Sequence, residues 1–288
     1  MAFQIAFALY PICLAAVAIG WALRAARTTW LAEIAAAASI AAFAFLAGPW
    51  AFTSYYLRYA VPVLFLLAAA YSFRRPRGKA GRLALSIPVL LLFAGLDAAV
   101  GMSHVAPRES YNVPFPLAAG EYYVLQGGNS VVTNPFHASV GSTLALDIVR
   151  LNAFDNRARG VAPRSLGDYG IFGDTVYSPC AGRVVAVQGG RPDHAPGESD
   201  PGHVNGNHVV LRCGDVEILL AHMRQGSVVV SAGETVALGR AVGRVGNSGY
   251  SMEPHLHVGA KRGGQEVGLV FDNRQLSVNS LVVGVQKK

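Results

Sequence analysis

"EPHLHVGA", residues 253–260, sets two histidines one residue apart inside an apolar run. Read as a strand, the run sends His255 and His257 to one face and Leu256 into the core, because successive strand side chains alternate. Runs of the same kind recur through the second half of the chain: "EYYVLQ", "LALDIVRL", "GRVVAVQ", "NHVVLRC", "VEILLAHM", "GSVVV", "ETVALG" and "EVGLVF". Each is short and bounded by Gly, Asn, Asp or Pro. Such spacing predicts an all-β domain and argues against βαβ units. The expected form is a compact antiparallel barrel-like sandwich. "RCGDVE" predicts a hairpin turn at Gly214 and Asp215, and 189–207, rich in turn formers, predicts a long functional loop.

Three more groups of related chemistry lie in the same half: His137 in "NPFHAS", Asp147 in "ALDIV" and His222 in "LLAHM". Asp147 sits inside an apolar run and His222 ends one. An imidazole or carboxylate in such a place needs a partner, since burying a charge alone is costly. From the residues alone, a metal site, a proton-handling pair and satisfied core histidines all stay open. Asn134, three residues before His137, is read either as a group orienting a ligand or as a plain turn residue. Asp155, Asp168 and Asp174 are fallback carboxylates in loop sequence.

The first half is different. Of the 288 residues, 52% are hydrophobic and only 14% charged, with a mean hydropathy of +0.35, whereas a soluble chain is nearer a quarter charged. The apolar excess lies in residues 1–105; the Asp, Glu, Gly and Asn lie mostly beyond it. Four stretches, 3–23, 29–50, 56–73 and 83–102, meet the roughly 20-residue length of a spanning helix. The first lacks a basic n-region and a cleavage site, so it reads as a span and not as a removable signal. Arg24 and Arg27 follow the first span, and Arg74, Arg75, Arg77, Lys79 and Arg82 follow the third. Positive loops are cytoplasmic, so everything after the fourth span falls on the far side. The net charge of +7 is in part this topology signal and is not read as nucleic-acid binding. The expected organisation is a transmembrane region of four helices at 1–104, an extracytoplasmic linker at 105–121 and a β domain at 122–288. Glu33 and Asp97 fall inside spans and read as helix-pairing groups or as polar sites. Cys180 and Cys213, at the ends of two strand-like runs in an oxidising compartment, are either a disulfide or two buried thiols.

"NPFH…ALDIV", "GNHVVL", "LLAHM", "VALGRAVGRVGNSG" and "EPHLHV", in that order, resemble the lysostaphin-type, LytM-like zinc metallopeptidases, which cut peptide cross-links of bacterial peptidoglycan. The resemblance covers roughly 115–275 and does not extend to the four spans. It implies a LytM-type β domain with one Zn2+ per chain, held by His137, Asp147 and His257. It implies that His222 and His255 handle protons. The family pattern places the aspartate four positions after the first histidine, whereas nine residues separate His137 from Asp147 here. The intervening "ASVGSTLAL" reads as an enlarged turn between two short strands.

The expectation is therefore a multi-pass protein of a bacterial cytoplasmic membrane whose periplasmic zinc endopeptidase acts on peptidoglycan peptide stems. Its partners would be those stems and membrane lipid, with no nucleic acid and an unidentified regulatory protein. Three rivals stand beside it. One is the same fold as a silent wall-binding or hydrolase-activating module, and another is a zinc peptidase acting on protein. The third is a sensor or transporter part in which the spans carry the function.

Overall fold

The structure, a computed structural model, describes residues 2–75 and 81–284. Arg77 and Lys79 of the basic loop and the last four residues lie outside that range. The chain divides into two compact units, Ala2–Met102 and the chain from Ser103 onward.

The first unit holds α1 (Ala2–Leu23), α2 (Trp30–Ala47), α3 (Ala60–Arg74) and α4 (Leu83–Ser103). With their flanking turns all four are long and apolar enough to cross a membrane. α1, α2 and α3 meet through small residues, Ala15, Ala18, Ala22, Ala37, Ala41 and Ala68, with Trp50 and Phe65 filling the gaps. Small side chains let backbones approach where no water-driven force pulls apolar helices together. Glu33 is buried, pairs with Arg82 at 3.3 Å and accepts from the Thr29 hydroxyl at 2.6 Å. It serves helix-to-loop pairing.

The second unit is built on one large antiparallel sheet. Its main strands are β1 (Gly120–Gln126), β2 (Leu146–Arg150), β3 (Gly182–Gln188), β4 (Asn207–Cys213), β5 (Val216–Met223), β6 (Thr235–Val236), β7 (Leu256–Arg262) and β8 (Leu281–Gly284). Their spatial order is β8-β1-β2-β7-β5-β4-β3-β6, with Gln265–Glu266 folding back on β7 as the ninth strand. No closed barrel forms: β8 and β6 are the two ends of an open sheet, with no pairing between them among the described residues. Strand length and alternation predict pairing, but closure depends on shear and tilt, which leave no local trace in sequence. Two small sheets flank the large one. Thr175–Tyr177 pairs with Ala241–Arg244, and Ser110–Val113, within the segment read as a linker, pairs in parallel with Gly268–Phe271.

Local chemistry accounts for most elements. Cys213 faces Val216 across the two-residue turn at Gly214 and Asp215, where Gly214 adopts φ 64°. "GSVVV" forms no strand; Val230 is buried in the core, so its apolarity reflects packing and not a ladder. The core is a layer of Leu146, Ile148, Leu211, Ile218, Leu220, Leu256 and Val258 with Met223 and Val245. Cys180 and Cys213 form a disulfide, Cα to Cα 5.9 Å, joining the start of β3 to the end of β4.

Candidate metal and catalytic centre

β7 lies between β2 and β5, and the register puts His257 directly opposite Asp147 on one side and Ala221 on the other. His255 immediately precedes β7, and Leu256 between the two histidines is fully buried. Asp147 and His222 therefore reach His257 from the two strands that flank it.

His222 owes its aim to a bulge. Asn207 pairs with Met223 and Val209 with Leu220, so Ala221 and His222 together oppose His208. His222 has φ 60°, a conformation that costs a non-glycine residue and is found where function over-determines the backbone. Its Nδ1 lies 2.8 Å from the Ser248 carbonyl. That oxygen can only accept, so Nδ1 carries the proton and Nε2 keeps a lone pair.

His137 comes from α5 (Pro135–Ser139), a single helical turn. The enlarged turn thus joins a helix to a strand, not two strands. Pro135 stands at the first helical position, where its missing N–H costs nothing. Asn134 Nδ2 donates to the carbonyls of Thr143 at 2.8 Å and Ala145 at 2.9 Å. The amide is thereby oriented, and its Oδ1 accepts from His137 Nδ1 at 2.6 Å. Asn134 thus orients the His137 ring, and His137 Nε2 is left bare of a proton.

That bare nitrogen points at Asp147. His137 Nε2 is 3.0 Å from Asp147 Oδ1, and His257 Nδ1 is 3.1 Å from the same oxygen and 3.1 Å from His137 Nε2. His255 Nε2 is 3.2 Å from Asp147 Oδ1, while its Nδ1 donates to the Glu253 carbonyl at 2.7 Å. His222 and His255 face one another with ring centres 4.7 Å apart. All five residues expected from the sequence share one cluster.

The donor set fits zinc. Bonds of about 2.0–2.1 Å at tetrahedral angles separate ligand atoms by about 3.3 Å, close to the spacing of His137 Nε2, Asp147 Oδ1 and His257 Nδ1. Two imidazoles and a carboxylate leave the fourth position open. His222, His255 and His257 form a second group of converging donors that shares His257 with the first.

The electrostatics divide the groups. Burial by itself would raise Asp147, but the neighbouring His137 and His255 hold its carboxyl well below the usual range. Burial, aided by the charges of His255 and His257, pushes His222 well below the ordinary imidazole value. His257 is lowered by burial, against the pull of Asp147. His255 is also opposed by burial, yet the Asp147 carboxylate raises it. One imidazole of the facing pair is held neutral and the other favours its proton.

The fallback aspartates lie elsewhere. Asp174 pairs with Arg150 at 3.0 Å and Asp168 with Arg159 at 3.0 Å. Asp155 occupies a left-handed turn. The 189–206 loop is pinned beside the site: Asp193 accepts from the Asn247 N–H at 2.7 Å, and Gly206 and Gly249 approach so closely that a Cβ on Gly206 would lie 2.3 Å from the Ser248 carbonyl oxygen. Sequence reading missed one buried group, Glu253, held by Arg157 and Tyr169. A glutamate directly before Pro-His inside an apolar stretch was the available signal.

No curated protein matches the chain. Similar solved structures include a zinc-containing peptidase from Vibrio cholerae, at 24% identity over 35% of this chain and 26% of that one, TM-score 0.27. A peptidase of the M23 type from Pseudomonas aeruginosa is 18% identical over 67% of this chain and 63% of that one, TM-score 0.33. The catalytic domain of lysostaphin from Staphylococcus simulans is 20% identical over 39% of this chain and 77% of that one, TM-score 0.24. The chain thus spans well under two thirds of the Vibrio cholerae peptidase. The profile of peptidase family M23 matches residues 168–269, which take in His222, His255 and His257 while His137 and Asp147 stand just before them. Residues 168–269 thus form a domain of the peptidase family M23 type.

Proposed function

We propose that the protein is a membrane-anchored zinc endopeptidase that hydrolyses peptide cross-links of bacterial peptidoglycan. The observation that carries this reading is the convergence of His137 Nε2, Asp147 Oδ1 and His257 Nδ1 within 3.1 Å of one another, with His222 and His255 beside them. A silent relative would have lost some of these five groups.

His137, Asp147 and His257 hold the metal in this reading. Bound zinc supplies Lewis acidity, polarising a carbonyl and bringing the pKa of water to about 7. Asp147 stays ionised and balances charge. His222, neutral and with its Nδ1–H tied to Ser248, presents Nε2 to take a proton from the attacking water. His255 carries the proton that the leaving amine needs and steadies the developing oxyanion. Splitting two like groups into base and acid by environment is how one site runs both steps near neutral pH. In this reading four apolar helices keep the domain at the membrane, and the arginines of the short loops support a periplasmic position at a bacterial inner membrane.

The test is zinc quantification on the full-length protein in detergent, followed by digestion of purified peptidoglycan with the wild type and His257→Ala. One zinc per chain and new peptide termini that vanish in the variant are expected. Full zinc with an intact wall but a cleaved protein substrate selects the protein-peptidase rival. Absence of zinc rejects the enzyme.

A further inference from the structure

We propose that the buried Arg157–Glu253 ion pair is a positioning device for His255, fixing the aim of its ring, and the Nδ1–H tautomer of its neutral form, through the Glu253 backbone carbonyl. The inference rests on the functional reading above and adds residues to that site. Arg157 is fully buried and Glu253 nearly so. The guanidinium grips the carboxylate as a fork, Nε to Oε2 and Nη2 to Oε1, both at 2.7 Å. The Tyr169 hydroxyl adds a third bond to Oε1 at 3.0 Å.

Arg157 and Tyr169 come from the long connection after β2, the strand that carries Asp147. A bridge between Ala158 and Tyr169 pinches that connection shut, and the Gly170 N–H donates to the Arg157 carbonyl at 3.1 Å. The pinch presents both side chains to Glu253 together. Arg157 also donates to the Val161 carbonyl at 3.2 Å, so the fork is held from both ends.

Glu253 passes the constraint on. Pro254 follows it, fixing its own φ and biasing the residue before it to extended backbone. The Glu253 carbonyl has little freedom once its side chain is gripped. It accepts from His255 Nδ1 at 2.7 Å and from the Ser251 hydroxyl at 2.8 Å. With the proton held on Nδ1, His255 Nε2 is the atom that faces Asp147 and the site. The pair thus links the segment after the Asp147 strand to the orientation of the His255 ring. Arg157 and Glu253 touch no expected substrate atom and are positioning residues.

A buried ion pair is poor evidence of stabilisation, since its removal as a pair is often neutral, whereas removing one partner strands a charge. That separates positioning from mere folding. The test uses full-length protein, 15N-labelled on histidine, as Arg157→Met/Glu253→Gln, which strands no charge and leaves Tyr169 an acceptor. A second variant, Arg157→Lys, keeps the charge and loses the fork, and it carries the test where the double variant does not fold. Imidazole 15N shifts, followed through a pH titration to the neutral ring, report the His255 tautomer, and wall digestion gives kcat and KM. In the folded variants we expect full zinc, an unchanged KM, a His255 no longer held in the Nδ1–H form and a kcat lower by about 10- to 100-fold. A His255 that keeps the Nδ1–H tautomer, or a kcat within about twofold of wild type, overturns the proposal. If the wild type cleaves no wall, the functional reading fails and the tautomer alone decides this one.

Discussion

Asn134 Oδ1 accepts from His137 Nδ1 at 2.6 Å, and the same amide donates to the carbonyls of Thr143 and Ala145. The two functions are inseparable: the carbonyls orient the amide, the amide orients the imidazole, and the bare Nε2 turns to Asp147. Asn134→Ala should weaken zinc binding by about 10- to 100-fold, the usual cost of losing an outer partner of a ligand. Competition against a chelator of known affinity measures it; an unchanged affinity would mean that packing alone aims His137.

His255 and His257 stand on one face, two residues apart, but should fail differently. His257→Ala removes a donor and should empty the metal site. His255→Ala should leave one zinc per chain and lower kcat by about 10²- to 10⁴-fold, the range for loss of a general acid or base. Metal content and turnover on the same preparations separate the two, and equal zinc in both variants would contradict the assignment.

Alternation around "EPHLHVGA" gave the strand, the buried Leu256 and the shared face of the two histidines, because a two-residue period is local. The four apolar helices were legible for the same reason: length and composition suffice. His222 was legible as a residue but not as a bulge, since φ 60° at a histidine is imposed by the strands on either side. α5 hid behind a turn signal because a single helical turn has no periodicity to detect. Asn134 was legible as one of two alternatives because it stands three residues before His137, whereas the open sheet depends on closure and the Arg157–Glu253 pair joins residues 96 apart, and neither leaves a pattern in a local window.

The Cys180–Cys213 bond closes a loop of sequence separation 33. Chain-entropy reasoning puts its contribution at about 3–4 kcal/mol. Cys180→Ala/Cys213→Ala should lower the denaturation midpoint of the β domain accordingly, monitored by tryptophan-independent far-UV dichroism. A midpoint equal to wild type would show that strand pairing alone holds β3 to β4.

Gly206 and Gly249 both adopt positive φ, and a Cβ on Gly206 would meet the Ser248 carbonyl, the acceptor of His222 Nδ1. Gly206→Ala should therefore destabilise the fold by more than the roughly 1 kcal/mol of backbone strain alone. It should also lower turnover by releasing the His222 tautomer. Gly263 has positive φ but open space around its Cβ, so Gly263→Ala is the control: strained and fully active.

The pH dependence of stability follows from His222. Its imidazole protonates at about 6.5 in the unfolded chain and at lower pH in the fold, where burial and the charges of His255 and His257 oppose the proton. Between those two values the unfolded state binds more protons, so stability rises with pH there. The contribution is complete above about pH 6.5 and is lost as the pH falls toward the folded value. Asp147, also depressed, adds a loss of the same sign at lower pH, below its own unfolded value. In chelator-treated protein the urea midpoint should accordingly drop as the pH falls below about 6.5, and His222→Gln should flatten that slope. A slope identical in wild type and variant would show that His222 takes its proton as readily in the fold as in water, and with it the role of neutral base would fall.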